Sequence, residues 1–227
     1  VKGHSMRDED EVMALIPART LDTVLYFSDR GKVYSSRAYH IPEAGRTSRG
    51  LPIVNVLDID PQEKITAIVP VADFKEAKYC SMATVNFLVK RVDLSEFDSV
   101  RPSGLIAIKL KDDDRLGWVQ LTSGKDDLML VTRKGYALRF KEKDVRPMNR
   151  PAMGVIGIRL REGDQVIGMD TVEKGGDLLV ITEKGYGKRT ELDAYPTRNR
   201  ATMGVLTTDK KAFATIGFIA AARVIQP

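Results

Sequence analysis

The stretch RKGYALRFKEKDVRPMNRPAMG, residues 133–154, returns fifty residues later as EKGYGKRTELDAYPTRNRATMG, residues 183–204. Both copies open on a Lys-Gly-Tyr turn that follows a short apolar run, and both close on an Arg-rich segment ending in Met-Gly. Working outward, the closing landmark recurs as GRTSRG at Gly50, VRPSG at Gly104, NRPAMG at Gly154 and NRATMG at Gly204, at intervals of 54, 50 and 50 residues. The turn landmark recurs 18 or 19 residues earlier, at Gly31, Asn86, Gly135 and Gly185, where Asn86 stands in for glycine because both tolerate a positive φ. Two landmarks that keep one phase over four periods define a repeat protein.

One period reads as four short strands. LIAIKLK (105–111) alternates apolar and polar residues, RLGWVQLT follows a polar Asp turn, and LMLVT (128–132) is continuously apolar, as suits a strand covered on both faces by the units beside it. After the Lys134–Gly135 turn, Tyr136, Leu138 and Phe140 point one way and Ala137, Arg139 and Lys141 the other. The Pro- and Arg-rich DVRPMNRPAMG cannot be a central strand. Four strands in about fifty residues make a propeller blade the natural unit. Helical periodicity is confined to single turns at LSEF (94–97) and ELDAY (191–195), and Trp118 belongs with the core. The expected fold is therefore all-β, one repeat domain over 1–227. Its blade-like units span about 1–50, 51–104, 105–154 and 155–204, with a partial fifth at 205–227 and an open or incomplete ring.

The chain carries 36 Lys and Arg against 31 Asp and Glu, a net charge of +5. That excess is sorted by repeat phase. From turn to closing glycine, the windows 29–50, 84–104, 133–154 and 183–204 together hold 20 basic and 10 acidic residues. The rest of the chain holds 16 basic and 21 acidic ones. In a circular array one phase is one location, so a basic surface is expected opposite an acidic one. Its outward column reads Ser35, Lys90, Arg139 and Arg189, joined by Lys32, Lys141 and Lys188. The closing segments add Arg46, Arg101, Arg150 and Arg200, with Arg49, Arg146 and Arg198 nearby. Cations spaced along a rigid edge can hold a phosphate backbone without reading bases. Gly45, Gly50, Ser48 and Ser103 would let backbone amides approach phosphates. The turn and closing glycines, Gly31, Gly50, Gly104, Gly135, Gly154, Gly185 and Gly204, are expected to hold backbone conformations that shape this edge. The competing reading makes the arginines ties between loops.

Catalytic and metal chemistry finds no support. His4 and His40 lie in different phases, Cys80 is the single cysteine, and no GxxxxGK[ST] loop or GxSxG elbow occurs. The aspartates at 112–114 read as a solvated turn. No window approaches the roughly 20 apolar residues of a membrane span, and no secretory leader opens the chain. The single cysteine suits a reducing cytoplasm. A peptide-binding propeller would predict a GH…WD blade signature, which is lacking.

The stretch YFSDRGKVYSSRAYHIPEAGRTSRGLPIVNVLDIDPQEKITAIVPV (26–71), with 143–169 and LLVITEKGYGKRTELDAY (178–195), resembles the C-terminal domain of the bacterial DNA gyrase A subunit. The resemblance implies a β-pinwheel, a propeller variant in which each blade lends a strand to its neighbour. It implies a basic rim that wraps duplex DNA with positive handedness and feeds it to the catalytic core of an ATP-driven type II topoisomerase. The implied partners are the core of the same gyrase polypeptide and the ATPase B subunit in an A2B2 assembly in the bacterial cytoplasm and nucleoid. ATP and Mg2+ would be bound elsewhere, so this chain has no cofactor and no catalytic activity of its own. The family's Q-R-R-G-G-x-G box would lie just before VKG (1–3). Without the box in view, the related C subunit of topoisomerase IV is the alternative.

Overall fold

The computed structural model describes residues 14–45, 48, 50–75, 77–111 and 113–226. The first sheet joins β1 (Thr23–Ser28), β2 (Lys32–Arg37), β3 (Ile65–Val71) and β6 (Leu105–Ile106) in the order β3-β1-β2-β6. The second joins β4 (Tyr79–Thr84), β5 (Leu88–Asp93), β7 (Leu116–Thr122) and β10 (Val155–Ile156) in the order β10-β5-β4-β7. The third joins β8 (Asp127–Thr132), β9 (Tyr136–Lys141), β11 (Val166–Thr171) and β14 (Val205–Leu206) in the order β11-β8-β9-β14. The fourth orders β12 (Asp177–Thr182), β13 (Gly187–Glu191) and β15 (Ile219–Ile225) as β13-β12-β15. Every pairing within these sheets is antiparallel.

Strand exchange puts sequence repeat and sheet out of step. The two residues after each closing glycine pair with the preceding blade: Lys32 with Ile106, Val89 with Val155, Ala137 with Val205. The chain then turns back to supply the next sheet, so LIAIKLK is a strand only at Leu105–Ile106. Residues 205–225, read as a partial fifth repeat, likewise give β14 to the third sheet and β15 to the fourth. The approach is close. A Cβ on Gly204 would sit 2.2 Å from the Ala137 carbonyl oxygen, and its φ of +76° is itself one that side chains disfavour.

Alternation along the apolar strands builds the interfaces between sheets. On β8, Leu128 and Leu130 enter a cluster shared with Ala83, Val89, Leu138 and Phe140 of the second and third sheets. Met129 and Val131 point the other way, into a cluster with Ala137, Leu178, Val180 and Ile219. A continuously apolar LMLV is what a strand with period-two side chains and two covered faces requires. Trp118 packs, partly buried, against the first of these clusters. Between sheets, β3 meets β7, β7 meets β11 and β11 meets β15. These strands converge at the inner edges, and β6, β10 and β14 therefore lie at the outer edges.

The hairpin turns share one device. The hydroxyls of Ser28, Thr84, Thr132 and Thr182 accept from the amides of Lys32, Leu88, Tyr136 and Tyr186, at 3.0–3.2 Å. The residue three after each hydroxyl has a positive φ: Gly31, Phe87, Gly135 and Gly185. This corrects the phase of the second unit. The glycine-like position is Phe87, at φ 105°, not Asn86. Asn86 instead anchors the turn to the neighbouring loop, its amide donating to Asp114 and its side chain to the Asp113 carbonyl.

Candidate nucleic-acid interface

Correcting that phase by one residue turns side chains over, because neighbours on a strand face opposite ways. The column that includes Ser35, Arg139 and Arg189 contains Arg91 in the second blade, while Lys90 joins Tyr34, Leu138 and Lys188. Lys90 is 1% exposed and donates from Nζ to the Ala107 and Arg150 carbonyls, so it is withdrawn as an outward contact. Burial lowers its ammonium to a pKa of about 8. Lys188 makes the equivalent bond, to the Thr207 carbonyl at 2.9 Å, from an exposed position. Sequence reading missed Arg91. The Ser/Thr three residues ahead of each turn position, Thr84 here, was the available signal.

The Arg column is tied within each blade. Arg139 Nε meets Asp127 Oδ2 at 2.8 Å, and Nη1 donates to the Leu192 carbonyl. Arg189 grips Asp177 through Nε and Nη2 at 2.9 and 2.6 Å. Asp127 and Asp177 both begin the strand that precedes the turn, so the two pairs repeat one arrangement. Burial alone would raise the Asp127 carboxyl, but hydrogen bonds from Arg139 and Thr197 outweigh it and hold the group below its ordinary value. Arg91 is buried against the Tyr79 ring at 4.2 Å and lies 3.6 Å from Glu142 Oε1. Glu142 in turn accepts from Thr122, Ser81 and the Gly124 amide.

The closing-segment arginines divide. Arg150 lies 3.3 Å from Glu96 without aligned hydrogen-bond geometry, and Arg200 donates to the Asp144 and Ile156 carbonyls at 2.9 Å. Both bind the blade before them. Arg101, Arg146 and Arg198 are exposed, and among the described residues their side chains have no hydrogen bond or ion pair. Lys141 is exposed 3.6 Å from Asp127, and Lys32 lies 3.8 Å from the buried Glu63. Arg46 and Arg49 lie outside the described residues, as do VKG at 1–3 and His4. Two cations that sequence reading also missed, Lys109 and Arg159, are exposed just beyond β6 and β10, their amides bonded to Ala152 and Thr202 of the next closing segment.

Among the glycines, Gly104, Gly154 and Gly204 share the positive φ of the turn glycines. Gly50 does not, and a Cβ there would meet nothing within 4 Å. Asp114 is buried as a turn cap, accepting from Asn86 and Arg115, and Asp112 lies outside the described residues. Among the described residues no group of three His, Cys, Asp or Glu could hold a metal ion. No helix among them is long and apolar enough to cross a membrane.

What this arrangement offers chemically is a set of guanidinium and ammonium groups on successive blades, distributed near the outer edges. Arginines engaged with one carboxylate or carbonyl keep further N–H donors for a second acceptor. The family described as "DNA gyrase C-terminal domain, beta-propeller" matches residues 22–72, 88–123, 126–173 and 176–212. The GyrA-type polypeptide of Escherichia coli DNA gyrase is 48% identical over 150 residues, 65% of this chain and 17% of that protein. Its counterpart in Clostridium acetobutylicum is 41% identical over 154 residues, 68% of this chain and 19% of that protein. The chain thus spans under a fifth of the length of these curated relatives. A crystal structure of the C-terminal domain of DNA topoisomerase IV superposes with TM-score 0.85 at 32% identity, over 98% of this chain and 69% of that one. A DNA gyrase A C-terminal domain gives 0.78 at 26% identity, over 98% and 73%.

Proposed function

Because the chain belongs to the DNA gyrase C-terminal domain family, we propose that it binds duplex DNA without sequence preference, bending and wrapping it around the outer edges of its blades. The observation that carries this reading is the exposure of Arg101, Arg146 and Arg198 on closing segments, backed by the tied but accessible Arg189, Lys188 and Lys141. Bending a short site by 40–90° costs about 1–6 kcal/mol, so a wrap needs contacts spread over several blades rather than one strong site. Repeated outer-edge cations meet that requirement.

In the parent protein the wrapped segment would be handed to the catalytic core of an ATP-dependent type II topoisomerase. Strand passage and ATP hydrolysis, with Mg2+, belong to other parts of an A2B2 assembly in the bacterial cytoplasm. The sequence relatives favour the A subunit of gyrase and hence negative supercoiling. The superposition on topoisomerase IV supports a second reading, in which the domain steers the choice of DNA segment. Exchanging this domain into a gyrase A core separates the two, since only the first restores negative supercoiling.

Binding should show its mechanism in salt. Displacing counterions from about six phosphates gives a slope of log K against log salt near −5. Gel-shift titrations should give weak binding to short duplexes, stronger binding to longer ones, and that slope. Affinity indifferent to length and salt contradicts wrapping.

A further inference from the structure

The fifty-residue phase places Leu110, Leu160 and Lys210 in equivalent positions. Leu110 and Leu160 pack on the first and second core clusters, Leu110 lying over the Gly31 turn. At the third interface Phe213 takes that place over the Gly135 turn, where a Cβ would lie 2.8 Å from its ring. Lys210 is released to the surface. An open cavity of about 370 Å3 results, bounded by the turn at Lys134, the loop at Arg161 and the segment from Lys210 to Phe218.

Its lining is unlike that of the other turns. The position of Tyr136 is held by Lys32, Leu88 and Tyr186 elsewhere in the repeat. Arg161 and Lys210 lie 5.4 and 5.5 Å from the Tyr136 ring centroid. Phe213 and Phe218 form a tilted pair 5.5 Å apart. Hydrogen bonding from Lys210 and the nearby charge of Arg161 pull the Tyr136 phenol below its ordinary value, which registers a positive field in the cavity. One carboxylate residue, Glu162, lines it, and that residue's backbone carbonyl accepts from Lys134. Among the described residues Lys134, Arg161 and Lys210 form no ion pair. Clustered cations without counter-charge are self-repelling, and an anionic ligand relieves that repulsion.

We infer that this cavity binds a nucleotide unit, its phosphate held by Lys134, Arg161 and Lys210 and its base laid against Phe213 and Phe218. The volume falls within the roughly 300–1,000 Å3 of small-molecule sites. Cations fit the phosphate, and aromatic faces stack any base. Paired duplex bases stay inside their stack, so the site differs from the outer-edge path. A free mononucleotide and a nucleotide of a single strand share the chemistry required.

Calorimetric titration with AMP, with a short oligothymidylate and with inorganic phosphate tests it. Saturable binding of AMP or the oligonucleotide, tighter than that of phosphate, is expected. Arg161→Ala and Lys210→Ala should each weaken that binding by about tenfold or more. Both positions are exposed, and thermal melting checks that the variants stay folded. Phe213→Leu should weaken AMP and leave phosphate unchanged. Binding by AMP alone identifies a free nucleotide, and binding by the oligonucleotide alone a single strand. The inference is overturned if neither binds more tightly than phosphate, or if both alanine variants bind like the wild type. Duplex gel shifts on the same variants report separately on the wrapping reading.

Discussion

Lys90 and Arg91 on β5 occupy the repeat positions that Lys188 and Arg189 occupy on β13, yet the first pair is buried and the second exposed. Lys90 and Lys188 even make the same bond, to the carbonyls of Ala107 and Thr207, which share one phase. The difference lies in what covers them. β5 is flanked by β10, and the 146–150 segment crosses it, pairing Pro147 with Arg91 and bringing the Arg150 carbonyl to Lys90. Among the described residues β13 has no such fourth strand. Phase fixes where a cation stands, and the neighbouring closing segment fixes whether a ligand can reach it.

The sharpest way to break this contrast is Arg91→Ala, which strands Glu142 among Ser81 and Thr122 in a buried site. Removing one partner of a buried ion pair costs about 3–5 kcal/mol. Arg189, with 51% of its side chain exposed, pairs with Asp177 where solvent screens the charge, so Arg189→Ala should cost less than about 1 kcal/mol. Equal losses in chemical unfolding would refute the assignment of a covered and an open blade. Next in size, Gly204→Ala meets both a positive φ and the Ala137 carbonyl and should cost about 3 kcal/mol. Gly50→Ala, with open space and no positive φ, should be near neutral. Similar melting curves for the two would contradict strand exchange at the closing glycines.

A smaller effect sharpens the comparison through pH. Burial holds Lys90 near 8 in the fold, whereas the unfolded chain titrates in the ordinary lysine range, so the unfolded state binds more protons between those values. Stability relative to Lys90→Met should therefore rise with pH from about 8 upward, by at most about 1.4 kcal/mol per pH unit. The same comparison for Lys188→Met should be flat.

The strand content, the single turns at 94–97 and 192–194 and the doubly covered LMLVT were readable because side-chain period and burial are local properties. The blade-to-blade exchange came from family resemblance, since two-residue strands such as Val155–Ile156 leave no periodic trace. Lys90 was misplaced because Asn86 looks like a turn residue, whereas the fold sets Phe87 at the strained position and packs its ring against the second cluster. Tertiary packing there overrides local preference. Which arginines would be tied was equally unreadable, because the carbonyls they serve, such as those of Asp144 and Ile156, lie on a different blade.

The central claim is that exposed outer-edge cations hold duplex DNA in a wrap. Ligating nicked circular DNA in the presence of the chain measures that wrap as a change in linking number. Wild-type protein should shift the topoisomer distribution in proportion to the amount bound, and the triple variant Arg101→Glu, Arg146→Glu, Arg198→Glu should abolish the shift while remaining folded. A distribution identical to that of DNA alone, with the wild-type chain demonstrably bound, would contradict the account.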